Sequence, residues 1–150
     1  MVNIVVSNPT QHPLPILVVE DSPQWQQAFS ILLQQHPEKF TLIGIAANTQ
    51  TAKQLAQNTP HSITNIIVLL DWELPAGETG LTVYNALKPI GLKTENVILV
   101  SGTDTQQLPP LPFKQIPKTK AGQQLIPTLL ARWEQHHCSF HADTAEQATA

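Results

Sequence analysis

The chain has 150 residues, enough for one domain around one hydrophobic core and too few for two of ordinary size. Apolar residues make up 41% and charged residues 13%, with a formal charge of -3 and no cluster of Lys and Arg, so a folded soluble domain is expected and direct nucleic-acid binding is not. The lone Cys138 excludes an internal disulfide and a cysteine-built zinc site, and no leader-like or membrane-length apolar stretch is present, which makes the cytoplasm the expected location.

Residues 1–15 read as an N-terminal extension: the apolar run Ile4 to Val6 can add a small edge strand, but Pro9, Pro13 and Pro15 discourage regular structure. Ile16 to Val19 is an uninterrupted apolar run of the kind a strand buried on both faces requires, and it ends at Glu20 and Asp21. Ser22 offers an N-cap oxygen, Pro23 suits the first helical position, and Trp25, Ala28, Phe29, Leu32 and Leu33 recur at helical spacing, predicting a helix to about His36. Phe40 to Ala47 predicts a second strand, and Asn48 or Thr49 caps a short helix through Gln57. Ile63 to Leu70 predicts the third strand, stopping at Asp71, and Trp72 to Gly80 is a loop by its turn residues. A helix with Leu81, Val83, Tyr84 and Leu87 follows and Pro89 ends it. Val97 to Val100 is the fourth strand, closed by Ser101 and Gly102. Three prolines between Thr103 and Pro112 predict a short or absent helix there. Phe113 to Pro117 is the fifth strand, and Leu125, Ile126, Leu129, Leu130 and Trp133 mark a last helix in which Pro127 is a candidate kink. The folded domain is thus placed at 16–137, with a disordered polar tail over 138–150.

Strands alternating with helices predict an α/β fold: a parallel sheet, doubly wound, with helices on both faces. Ligands of such sheets bind beyond the carboxyl ends of the strands, which directs attention to Glu20, Asp21, Asp71, Ser101 and Lys118. Two of the chain's four aspartates follow two strongly apolar strands and should face one crevice. Carboxylates gathered in this way repel one another unless a hard cation or a lysine neutralises them, and Mg²⁺, which prefers oxygen ligands and keeps several waters, suits the site. Ser101 adds a hydroxyl and Lys118 a point charge fitted to phosphate oxygens. The chemistry implied is attack by the Asp71 carboxylate on a phosphoryl donor, giving an acyl phosphate.

These residues resemble the receiver domains of two-component response regulators. The resemblance spans roughly Ile16 to Glu134 and rests on Ile16-Leu17-Val18-Val19-Glu20-Asp21-Ser22-Pro23, on Ile67-Val68-Leu69-Leu70-Asp71-Trp72-Glu73-Leu74-Pro75 followed by Gly80, on Val100-Ser101-Gly102, and on Lys118. It implies five strands in the flavodoxin-like order 2-1-3-4-5 and Asp71 as phosphoacceptor. It also implies Mg²⁺ held by Asp21, Asp71 and the backbone carbonyl of Glu73, with Glu20 acting through water, and Ser101 and Lys118 on the phosphoryl oxygens. The chain departs from the family pattern at three places. The loop from Asp71 to Gly80 is about one residue longer, to be absorbed at Ala76 and Gly77. Lys118 is preceded by Pro117 and followed by Thr119, where the family has a proline in a cis peptide. The aromatic residue usually found three positions before the lysine is Gln115. Lys114 is a rival for the lysine role, but its strand would then run through Pro109, Pro110 and Pro112.

The blander readings are a solvated strand-end acid for Asp71, a helix-start charge for Glu20, a turn cap for Ser101 and an exposed lysine for Lys118. Trp72 reads as a partly exposed flank of the site. His136, His137, Cys138 and His141 suit a frayed helix end better than a zinc site. The leading function is a phosphoacceptor switch in a two-component phosphorelay, charged by a histidine kinase or phosphotransfer protein and passing its signal to an output protein, with a homodimer compatible. The alternative is a receiver-like interaction module that works without phosphorylation. A metal-dependent phosphohydrolase ranks last, and no multiple-turnover enzyme is expected, because no evident acid is available to protonate a leaving group.

Overall fold

Five parallel strands form one sheet in the order β2-β1-β3-β4-β5: β1 (Leu14–Val19), β2 (Phe40–Ala46), β3 (Ile67–Leu70), β4 (Val97–Ser101) and β5 (Lys114–Pro117). Four α-helices cover it: α1 (Pro23–Gln34), α2 (Thr49–Asn58), α3 (Gly80–Leu87) and α4 (Ala121–Thr149). The computed structural model describes residues 12–149, with residue 105 and residues 137–149 described by backbone alone. The edge strand considered for Ile4 to Val6 lies outside the described residues.

Alternation along the buried strands sorts the core into two layers. Leu17, Val19, Val68, Leu70, Val97 and Leu99 face α2 and α3, whose Ala52, Ala56, Val83 and Leu87 are buried against them. Ile16, Val18, Ile67, Leu69, Ile98 and Val100 face α1 and α4, where Phe29, Leu33, Leu125 and Leu129 close the other side. Each fully buried Leu, Ile or Val contributes about 1.5–3 kcal/mol relative to exposure, so the two layers hold the sheet rigid beneath whatever sits at its carboxyl edge.

β1 begins at Leu14, inside the segment read from sequence as an extension. Pro15 is tolerated because Leu14 and Ile16 point their backbone groups at β2, Leu14 N–H donating to Lys39 O at 2.8 Å, whereas pairing with β3 starts only at Ile16. β3 is shorter than the apolar run predicts. Ile63–Asn65 forms a 3-10 turn capped by Ser62, since Thr64 and Asn65 break the run and the Ser62 side chain accepts the Thr64 N–H. The segment between β4 and β5 contains, among the described residues, a single 3-10 turn at Thr105–Gln107 in place of a helix. The helical backbone of α4 continues to Thr149, past the disordered tail predicted from residue 138. That stretch contains no Gly or Pro to stop a helix begun upstream, and its several alanines favour continuing it.

Candidate functional site

Two strand ends supply the acidic groups. Glu20 N–H still donates to Ala46 O at 2.8 Å, so the residue leaves β1 in strand geometry and its side chain turns into the interior, only 1% exposed. The junction with α1 fixes it further: Ser22 N–H donates to Glu20 Oε2 at 3.1 Å, and Gln26 Nε2 donates to the Glu20 carbonyl at 2.7 Å. Asp71 follows β3 directly, its N–H donating to Val19 O at 3.0 Å, and Trp72 N–H donates to Asp71 Oδ1 at 2.8 Å. Ligating oxygens of Glu20, Asp21 and Asp71 lie within 4.8 Å of one another.

Lys118 closes the group from the end of β5. Its Nζ is 2.8 Å from Glu20 Oε1 and 3.5 Å from Asp71 Oδ2, and 5.0 Å from the centre of the Trp25 ring. Burial, reinforced by the neighbouring Glu20 carboxylate, pushes the Asp71 pKa up from 3.8 to about 7 against the opposing pull of the Lys118 ammonium. Burial thus makes the neutral form of Asp71 the favoured one below about pH 7, with Lys118 opposing it.

A cavity of about 830 Å³ opens over these groups, bordered by Glu20, Asp21, Asp71, Glu73 and Lys118 and on the far side by Thr103, Asp104 and Gln107. The donor set fits a hard divalent cation: three carboxylates converge on an open, polar cavity, one oxygen of Glu20 is sealed from solvent with its balancing charge supplied by Lys118, and space remains for water ligands. Glu73 borders the same cavity, but its side chain is exposed and Oε1 accepts from Thr103 Oγ1 at 3.4 Å. Ser101 is buried at the end of β4 with Oγ accepting the Thr103 N–H at 3.0 Å; it borders a smaller cavity of about 210 Å³ that it shares with Lys118. Lys114 is exposed and pairs with Ile98 near the start of β4, away from the carboxyl edge.

The loop carrying Asp71 to α3 is shaped by unusual backbone geometry. Ala76 and Gly77 both adopt the left-handed region, with φ of 61° and 77°. Glu78 then ties the loop to the start of α2, accepting from Thr49 N–H at 3.0 Å and Thr49 Oγ1 at 2.8 Å, bonds that hold its carboxyl below the usual range. Gly80 is the closest approach: a Cβ there would lie 2.8 Å from the Asp71 carbonyl oxygen and 3.1 Å from Leu99 Cδ1. Gly80→Ala is expected to cost about 1–3 kcal/mol in urea denaturation, because the added methyl must displace either α3 or the backbone of Asp71. An unchanged midpoint would mean that α3 shifts freely and does not pin the site.

Trp25 and Thr103 were not singled out for the site by sequence reasoning. Trp25 carried a signal, since it lies three residues after the N-cap Ser22 in the first turn of a helix that starts at the carboxyl edge of the sheet. Its apolar spacing marked it as core, and it is half-buried against the layer of α1 and α4. Trp72 is half-buried against the α2–α3 layer, consistent with a flank of the site. Phe113 is buried 5.1 Å from the Tyr84 ring, and Gln115 is half-buried in β5. Of the histidine-rich terminus only the His136 side chain is among the described residues, at a separate cavity beside Arg132; the side chains of His137, Cys138 and His141 lie outside them. Among the described residues no helix is long and apolar enough to cross a membrane.

No protein-family model matches the chain, and no curated protein matches it. Solved structures do. The chain is similar to a structure of the CheX–CheY–BeF3–Mg²⁺ complex from Borrelia burgdorferi, at a TM-score of 0.50 and 22% identity over 79% of this chain and 72% of that one. It is similar to a DNA-binding response regulator of the LuxR family from Staphylococcus aureus, at a TM-score of 0.58 and 21% identity over 83% of this chain and 98% of the other. A two-component transcriptional regulator, AraC, from Clostridium phytofermentans gives a TM-score of 0.65 and 20% identity over 87% and 98%. At these identities the likeness is one of fold: the chain has the receiver-domain fold, with the predicted 2-1-3-4-5 sheet order.

Proposed function

We propose that this chain is a phosphoacceptor signalling switch, in which Asp71 takes a phosphoryl group and the new charge changes which protein the domain binds. One observation carries the reading: a buried Asp71 carboxylate faces an open polar cavity with two further carboxylates converging on it and a lysine ammonium within 3.5 Å. The receiver fold supports it, and the similar CheX–CheY complex contains BeF3 and Mg²⁺, a phosphoryl mimic with its cation.

In the proposed chemistry an Asp71 oxygen forms the new O–P bond as the bond from phosphorus to the donor's leaving group breaks, leaving an acyl phosphate. Asp21, Asp71 and the Glu73 carbonyl would hold Mg²⁺, with Glu20 acting through water, and the ion would neutralise charge on the transferring oxygens. Lys118 moves from the carboxylates onto a phosphoryl oxygen, and the Ser101 hydroxyl, which only accepts from Thr103, keeps its proton to donate to another. The donor is a histidine kinase or phosphotransfer protein, the output is a second protein, and action in the cytoplasm follows from that chemistry. Asp71 is itself the acceptor and no separate substrate is converted, so no multiple-turnover enzyme belongs to this reading.

Intact mass spectrometry after incubation with acetyl phosphate tests it. One added phosphoryl group is expected with Mg²⁺, and none for Asp71→Asn or without metal. The second reading, a module that binds partners without phosphorylation, is favoured by Gln115 and by the missing helix before β5. It becomes the better one if no adduct forms and beryllofluoride leaves tryptophan fluorescence unchanged.

A further inference from the structure

We propose that Trp25 is a positioning residue for Lys118, holding its ammonium over the Glu20–Asp71 pair through a cation–π contact; the inference rests on the reading of Asp71 as phosphoacceptor. Lys118 stands at the first position of a 3-10 turn that follows the edge strand β5, on a flexible four-carbon stem. Something must aim that stem. Among the described residues the Nζ lies against Glu20 Oε1, Asp71 Oδ2 and the Trp25 ring, at 5.0 Å from its centre.

The ring is itself held. Trp25 lies in the first turn of α1, its N–H donating to the cap Ser22 Oγ at 3.5 Å, and it packs at a tilt on Phe29 with ring centres 5.6 Å apart. Ser22 in turn donates its N–H to Glu20 Oε2. Glu20, Ser22 and Trp25 thus form one local unit at the β1–α1 junction that presents a carboxylate and an aromatic face to the same cation. The two contacts differ in kind. An ion pair with Glu20 competes with a phosphoryl oxygen for the ammonium, whereas a ring quadrupole attracts the cation without neutralising it. The ammonium can therefore leave the carboxylates for a phosphoryl oxygen while remaining over the ring. A Trp25 that serves only as core filler would be replaceable by any apolar side chain of similar size.

The test uses the full chain with Trp25→Met, which fills space without a ring, and Trp25→Phe, which restores one. Two readouts are taken: the NMR shift of the Lys118 ε-protons, and the initial rate of phosphoryl uptake from acetyl phosphate at saturating Mg²⁺. In the parent the ε-protons are expected upfield of the other lysines, less so in Trp25→Phe and not at all in Trp25→Met. Uptake is expected to fall about 3- to 10-fold in Trp25→Met and to stay within about 2-fold in Trp25→Phe. Equal rates in the two variants, or parent ε-protons at the ordinary lysine position, overturn the proposal. If the parent takes up no phosphoryl group, the reading of Asp71 fails, and the ε-proton shift alone decides whether Trp25 positions Lys118.

Discussion

Replacing Lys118 with methionine is expected to destabilise the metal-free protein by about 2–3 kcal/mol at pH 8, measured by urea denaturation, and by less at pH 5. The ammonium is the group that faces both carboxylates, at 2.8 Å from Glu20 and 3.5 Å from Asp71, and Glu20 is only 1% exposed. Removing one partner of a buried charged set leaves the others uncompensated, which costs more than the set contributes when intact. Methionine keeps an apolar stem in place of the lysine's, so the loss measured is mainly one of charge. The pH dependence follows from Asp71. Lys118 lowers an affinity for protons that burial and Glu20 raise, so without Lys118 the folded Asp71 holds its proton to still higher pH. At pH 5 Asp71 is protonated in both proteins, and only the contact with Glu20 is lost. A change below about 0.5 kcal/mol at pH 8 would mean that the ammonium stands in water and not between the carboxylates.

The order of strands and helices was legible because β1, β3 and β4 are apolar runs without alternation, the mark of burial on both faces, and close on Glu20, Asp71 and Ser101. The same logic overreached at Ile63, where an apolar residue precedes Thr64 and Asn65 and covers a 3-10 turn instead of extending β3. It fell short at Pro15, because a proline reads as a breaker until it is known that no strand yet pairs on the side its missing N–H would face. The tail illustrates a further limit. Its small polar residues predict disorder, yet the segment contains nothing that interrupts a helix already nucleated in α4.

The acidic part of the site was legible for a physical reason: in a parallel sheet the residues after adjacent strands must share one edge, so Glu20, Asp21 and Asp71 converge whatever the loops do. Lys118 lies beyond a strand recognisable chiefly by its neighbours, and its place between the carboxylates depends on the turn at Lys118–Lys120. Ser101 shows where sequence order is too coarse. Its position at the end of β4 is as expected, but whether its hydroxyl points to the main cavity or engages Thr103 is decided by the local turn, and the structure has it accepting the Thr103 N–H. Contacts such as that between Trp25 and Lys118 join residues far apart in the chain, and helical spacing alone marks Trp25 only as buried.

Asp71 makes the protein's stability depend on pH in a direction opposite to that of a carboxylate whose pKa is depressed by an ion pair. Its pKa is about 7 in the folded protein against an ordinary 3.8, so between these limits the native state binds more protons than the unfolded chain. Stability from this group is therefore present in full below about pH 4 and is lost as pH rises towards 7. A shift of this size corresponds to at most about 4 kcal/mol, and water entering through the open cavity reduces the expected loss to about 2 kcal/mol. Glu78, whose carboxyl is held low by Thr49, acts in the opposite sense, so the whole-protein curve is a sum. The difference between parent and Asp71→Asn isolates the Asp71 contribution: Asp71→Asn is expected to gain on the parent as pH rises from 4.5 to 8. Divalent metal sharpens the test, because a cation that takes the place of the proton should stabilise the parent most at pH 8 and leave Asp71→Asn nearly unaffected. Urea denaturation of both proteins across this range, with and without Mg²⁺, reads both effects. A parent whose difference from Asp71→Asn does not vary with pH would have an ionised, solvated Asp71. A pH-dependent difference that Mg²⁺ does not diminish would mean that the three carboxylates gather a proton and a lysine but not a metal.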